Sequence, residues 1–354
     1  MDRDIELVQG LVAIPSTSRR EGEAVEWLVA RMAERGFRAS VDDAGNAVGE
    51  IGDGPMHVVL LGHIDTVPGE IAVRVENGEL VGRGAVDAKG PLAAFVAAAT
   101  TPVPGVRVTI VGAVEEESPT SAGARFRATL PAPDWCVIGE PSGWDAVTVA
   151  YKGRLSLRVS LSRPARHGAA PGMTCSEEAL ALWSNVRAAA QRRTGATDGF
   201  ARLDCRLEGM SGGTSDGLVE RAELCVGYRI PPGISTVELE SELRAIAAEH
   251  VGEAAIEIER VGAEEAARTP RTTPLARAFV GAIAGAGGKV TFKVKSGTSD
   301  MNILAPAWGC PMVAYGPGDS RYDHTPIERL SLADYTRSIA VLQGVLAHAR
   351  HPII

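Results

Sequence analysis

Four apolar runs in this sequence are each followed by histidine or carboxylate. His63 and Asp65 come after VVLLG, Glu115, Glu116 and Glu117 after VRVTIVGAV, Glu140 after WCVIG, and His324 after MVAYGPGDSRYD. A further carboxylate, Asp87, lies in the glycine-rich GRGAVDAKGP, where backbone can approach a site at little steric cost. Two imidazoles and three carboxylates suit zinc or a similar first-row ion. One carboxylate shared between two ions leaves each with three protein ligands and a common water. Taken singly, H-x-D at a strand end is an ordinary polar turn, and an EEE run is an ordinary solvated face. Their coincidence after successive strand-like runs is what points to a metal site.

Such residues converge only if the runs before them are strands of one sheet, because ligands gather outside the carboxyl ends of strands in open α/β folds. The pattern supplies them: strands are predicted at His57 to Leu61, Arg107 to Val114, Trp135 to Ile138 and Met312 to Tyr315. A helix is predicted over Pro91 to Ala99, and two amphipathic helices stand at the start, one ending before Pro15 and one at Gly36. This alternation predicts an α/β fold whose sheet is covered by helices on both faces. From Tyr151 the texture changes to alternating Leu155, Leu157, Val159 and Leu161. A helix follows from Cys175 to Arg193, signed by Thr174 and Glu177 as a capping box and by Gly195. Strands at Ala222 to Ile230 and Ala255 to Ile258, around a helix over Val237 to Ala248, complete an inserted α+β domain, and RTPRTTP reads as a return linker. The predicted division is 1–151 and 265–354 for the catalytic domain and 152–264 for the insert.

Composition narrows the class. The chain has 354 residues, 45% of them apolar, with net charge −8, which suits a soluble domain and gives no basic stripe for nucleic acid. No apolar run approaches the roughly 18 residues of a membrane span. The acidic opening MDRDIELVQG is unlike a secretory leader, so the expectation is a cytoplasmic protein. Five scattered cysteines include no C-x-x-C pair, which leaves any metal to histidine and carboxylate. GRGAVDAKG does not match G-x-G-x-x-G, which argues against a dinucleotide enzyme.

GHIDTVP (62–68), GRGAVDAKG (82–90), EEES (115–118), GEPS (139–142) and DHTP (323–326) resemble, in order and context, the di-zinc peptidases that include acetylornithine deacetylase, succinyl-diaminopimelate desuccinylase and glutamate carboxypeptidase. The resemblance spans nearly the whole chain. It implies His63 and Glu140 on one zinc, Glu117 and His324 on the other, and Asp87 bridging both, with cobalt as an alternative metal. It also implies that Asp65 orients His63 from behind and that Glu116 is the general base, leaving Glu115 solvated. A carboxylate outside the metal shell is what proton transfer to a leaving amine requires.

The resemblance extends to the insert, which matches the family's lid or dimerisation domain and implies a homodimer. There His167 stands where the family carries an oxyanion donor, and Arg229, in VGYRIPPG, stands where it grips a substrate carboxylate. Two departures occur: Asp216 replaces an asparagine in GGTSDG, and Asn302 replaces an arginine in KSGTSDMN, whose Thr298 and Asp300 are implied substrate contacts. That loop, the short spacing from Asp65 to Asp87 and YGPGDSRYDHTPIE look most like hydrolases that free lysine or ornithine from the γ-carboxyl of the terminal glutamate of an amino-group carrier protein. A small acidic carrier calls for basic residues at the entrance, with Lys152, Arg154, Arg163, Arg166, Lys293 and Lys295 as candidates. A cationic side chain calls for an acid, with Asp300, Asp319 or Asp323 as candidates. Ordinary surface charge is the bland alternative. Rival readings are an N-acetylornithine deacetylase, a general aminoacylase or dipeptidase, and a binding protein that merely retains the fold.

Overall fold

The computed structural model describes residues 3–195, 197–214 and 217–350. The chain divides into two compact units, Met1–Ala150 with Arg268–Val294 and Ser299–Ile354, and Tyr151–Ala267 with Lys295–Thr298.

The first unit is built on a sheet that, among the described residues, has nine strands. Their order is Arg38–Val41, Ala47–Ile51, Val106–Ala113, Met56–His63, Trp135–Gly139, Met312–Tyr315, Ala146–Tyr151 and Ala267–Arg268, with Thr291–Lys295 paired beside Ala146–Tyr151. The four predicted runs are its parallel centre. Their residues are apolar without alternation because helices bury both faces. Lys89–Ala99 is buried on every side, against the sheet and against helices Arg3–Ala13 and Leu332–Ala349. Its Phe95 fits because two glycines face each other beneath it: a Cβ on Gly139 would stand 2.9 Å from the Phe95 ring and from the Gly62 Cα. Register sets the functional edge. His63 lies opposite Ala113, and both Gly62 and Tyr315 lie opposite Gly139, so the four carboxyl ends finish almost level.

The second unit is an antiparallel sheet in the order Asp204–Thr214, Val219–Ile230, Gly153–Pro164 and Ala255–Glu264. Gly153–Pro164 alternates buried and half-buried positions, which puts Leu155, Leu157, Val159 and Leu161 on one face. Helices Cys175–Thr194 and Thr236–His250 close that face into a separate apolar core. The Thr174 and Glu177 capping box is formed in both directions, and Ser235 with Glu238 repeats it on the second helix.

Two parts of the fold differ from the sequence reading. The hairpin Arg38–Val41 and Ala47–Ile51 went unpredicted because its first strand is largely exposed and carries no apolar run. The RTPRTTP stretch is only partly a linker: the Thr273 hydroxyl caps helix Pro274–Gly285 by accepting the Ala276 N–H, with proline in its first turn.

Candidate metal centre

All the site residues but Asp87 end or follow a strand of the main sheet. His63 closes Met56–His63, Glu115 to Glu117 form the turn after Val106–Ala113, and Glu140 follows Trp135–Gly139. His324 comes from the loop after Met312–Tyr315. Asp87 arrives on the loop that opens helix Lys89–Ala99, joined to Ala88 by a cis peptide bond. Gly84 in that loop has φ +84, and a Cβ there would lie 2.8 Å from Thr66 Cγ2. Glu115 and His324 also hold positive φ, 63° and 59°, uncommon for residues bearing a Cβ.

Asp87 is the centre of the arrangement. Its Oδ1 stands 3.1 Å from His63 Nε2 and its Oδ2 stands 3.0 Å from His324 Nε2. His324 Nε2 is also 2.9 Å from Glu117 Oε1. One candidate ligand atom from each of His63, Asp87 and Glu140 lies within 4.8 Å of the others, and the same holds for Asp87, Glu117 and His324. A third such group, His63, Glu116 and Glu117, brings Glu116 into the same cluster.

Asp65 holds the arrangement from behind. His63 Nδ1 is 2.9 Å from the Asp65 main-chain oxygen, so an Nδ1–H donated there would leave Nε2, which faces Asp87, available to a cation once it gives up its own proton. The Asp65 carboxylate, fully buried, accepts the N–H of Glu116 at 3.1 Å, the N–H of Glu117 at 3.0 Å and the Ser18 hydroxyl at 2.7 Å. Glu21 accepts the Glu115 N–H at 3.1 Å. Glu115 itself is engaged, with Arg19 at 3.5 Å and the Thr120 hydroxyl, and is not the free solvated acid expected. Glu21 and Glu328, both buried supports of this edge, carry no sequence signal: each is a lone glutamate outside any apolar run.

The electrostatics favour cations. Burial pushes the Glu116 carboxyl well above the usual range, opposed by His63 and reinforced by Glu140, Asp300 and Glu117. Burial also lifts Asp300, 2% exposed, to about 7. At Asp87 burial acts upward too, but the imidazoles of His324 and His63 hold its carboxyl well below the usual range. Burial would lower His63, yet Asp65 and Asp87 raise it well above its ordinary value. Asp87 and Glu117 raise His324 to about 10. The surplus of carboxylates over imidazoles, the all-nitrogen-and-oxygen donors and the shared Asp87 fit a pair of divalent ions.

The other predicted residues stand elsewhere. Asp300 lies in the first unit, at the start of helix Met301–Trp308, whereas Thr298, His167 and Arg229 belong to the second. His167 is exposed in a turn, its Nδ1 accepting the Ala169 N–H at 3.1 Å. Arg229 lies in a cross-strand row with Asp204, Arg154 and Glu264. Lys152 is 2.8 Å from Asp204, and Arg154 is 3.0 Å from Glu264, leaving one buried Arg229 guanidinium nitrogen without a hydrogen bond. Asp216 lies outside the described residues. The predicted basic entrance is divided: two of its six residues are internal, whereas Arg166 and Lys293 are exposed. Lys152 and Arg163 are buried, Arg163 between Glu178 and Glu220 at 2.9 Å each, and Lys293 donates to the Ser142 carbonyl at 2.7 Å. Long basic side chains in a strand-rich insert are spent on cross-strand carboxylates. Asp319 is likewise bound to Arg321, at 2.6 Å.

Comparison with known proteins shows the family and the fold. A LysW-lysine hydrolase of Deinococcus radiodurans is 45% identical over 350 residues, covering 96% of this chain and 95% of that protein. A putative LysW-lysine/LysW-ornithine hydrolase of Pyrococcus abyssi is 38% identical, covering 98% and 94%. The crystal structure of a dinuclear metal-binding M20 peptidase from Bacillus subtilis superposes with TM-score 0.74 at 14% identity, over 99% of this chain and 98% of that one. The model of Peptidase family M20/M25/M40 matches residues 59–348. With the mixed sheet, the shared carboxylate between two imidazoles and this match, the chain belongs to peptidase family M20/M25/M40.

Proposed function

We propose that this chain is a two-metal amide hydrolase that frees lysine, or ornithine, from the γ-carboxyl of the C-terminal glutamate of a small acidic amino-group carrier protein. The observation that carries the reading is the end-to-end likeness, 45% identity over 96% of the chain, to a protein named LysW-lysine hydrolase. His63 and Glu140 would hold one cation, Glu117 and His324 the other, and Asp87 would serve both. Zinc suits these donors, with cobalt an alternative. Bound there, the cations polarise the scissile carbonyl and acidify a water.

Glu116 lies outside both ligand groups that contain Asp87. It takes a proton from the attacking water and returns it to the nitrogen of the departing amino acid. Asp65 keeps His63 and the Glu116 turn in place. As the resemblance implies, His167 would reach the partner subunit's active site and donate to the developing oxyanion, Arg229 would grip a substrate carboxylate, and Thr298 and Asp300 would contact substrate.

The same reading makes the protein a cytoplasmic homodimer. All five cysteines are free, and no helix among the described residues is long and apolar enough to cross a membrane. In the second unit the edge strand Asp204–Thr214 and the exposed Met173, Leu180, Met210 and Leu218 offer a surface for a second copy.

The test is kcat/KM of the metal-loaded enzyme on a carrier protein bearing γ-glutamyl-linked lysine and on N-acetylornithine. Rapid lysine release with little deacetylation is expected. Preference for acetylornithine makes the chain a deacetylase with the same chemistry.

A further inference from the structure

Glu328 has no part in the ligand set, yet it is fully buried at the edge of the metal centre. Its Oε1 accepts the N–H of Val86 at 2.9 Å and of Asp87 at 3.1 Å. Its Oε2 accepts Arg83 Nη1 at 2.8 Å, and its main-chain oxygen accepts the Gly82 N–H at 3.3 Å. One residue therefore fastens the loop that carries Asp87 to the segment that, four residues earlier, carries His324. Those two ligands meet at 3.0 Å.

We propose that Glu328 is a positioning residue that fixes Asp87 against His324 and thereby sets the affinity for one particular cation of the pair. The inference rests on the two-metal reading. Asp87 belongs to both ligand groups, but His324 belongs only to the group with Glu117. A shift between the two loops displaces two ligands of that group and one of the group with His63 and Glu140. Groups that orient metal ligands are worth about 10- to 100-fold in affinity. A glutamine at 328 keeps the volume but turns an NH2 towards donors that now face oxygen, so at least one of the bonds to Val86, Asp87 or Arg83 is lost.

The experiment is calorimetric titration of zinc into the metal-stripped full chain, wild type and Glu328→Gln, with chelator competition for the tighter ion. Wild type is expected to take up two ions. In the variant the dissociation constant of one ion rises about 10- to 100-fold while that of the other changes much less. A thermal melt with and without zinc accompanies it, because a purely structural residue lowers both melting temperatures equally and leaves the zinc-induced increment unchanged. Unchanged constants, or equal weakening of both, overturn the proposal. Fewer than two ions in the wild type instead removes the two-metal reading on which it stands. If Glu328→Gln does not fold, Arg83→Gln carries the test, since it loosens the Glu328 carboxylate and leaves its main-chain bonds; a smaller rise confined to one ion is expected, and unchanged constants again overturn the idea.

Discussion

Asp65 accepts the main-chain N–H of Glu116 at 3.1 Å, so the carboxylate behind His63 also fixes the turn that carries the proposed general base. With Glu117 on its other oxygen at 3.0 Å, Asp65 joins two strand ends that the chain places 51 and 52 residues apart. Replacing it with alanine leaves two N–H groups and the Ser18 hydroxyl without their acceptor. We expect kcat/KM to fall and zinc affinity to weaken together, each by about 10- to 100-fold. Loss of activity with unaltered zinc binding would confine Asp65 to proton transfer.

Glu116→Gln separates chemistry from metal holding. The variant should retain two ions by elemental analysis and lose about 10²-fold or more of kcat, with KM little changed. Wild-type turnover in a fully loaded variant would remove Glu116 from the mechanism.

Removing metal should abolish activity reversibly, and rebinding should expel protons. In the arrangement without ions, Asp87 and Glu117 keep a proton on His324 to a pH of about 10. A cation needs that imidazole neutral, so affinity must weaken as pH falls. Titrations in buffers of different ionisation enthalpy should reveal proton release near pH 7. Zinc uptake with no proton exchange would contradict the assignment of His324.

Stability should fall in mild acid through His57, well away from the ligands. Burial, aided by Arg107, lowers its pKa below the ordinary 6.5, and Nε2 meets the Thr109 hydroxyl at 2.9 Å. A depressed imidazole pKa means that the unfolded state binds the proton more readily. Its contribution is therefore intact above pH 6.5 and lost as pH drops through the folded value. Urea midpoints of the metal-free protein between pH 7.5 and 5 should decline less steeply in His57→Gln than in wild type.

Arg163 tests the corrected view of the basic residues. Because it is buried between Glu178 and Glu220, Arg163→Met should cost about 3 kcal/mol of stability by stranding two carboxylates. The salt dependence of KM for an acidic carrier should stay as in wild type. A stable variant with weakened carrier binding would restore Arg163 to the entrance.

Much of the site was legible in the sequence because strand ends are marked locally. An apolar run long enough to be a strand, followed at once by His63, Glu116 and Glu117, or Glu140, states both the element and the edge from which the side chain projects. The alternation of Leu155 to Leu161 and the Thr174 capping box are equally local, and the structure holds both. Tertiary structure alone decided that strand ends 50 and more residues apart finish level, that Asp87 turns one oxygen to each imidazole, and that Glu21 and Glu328 brace the loops. It also decided that Lys152 and Arg163 point inward. A charged residue reads the same in sequence whether it meets water or a buried partner. The difference lies in which distant residue the fold brings within about 3 Å, and no local pattern encodes that distance.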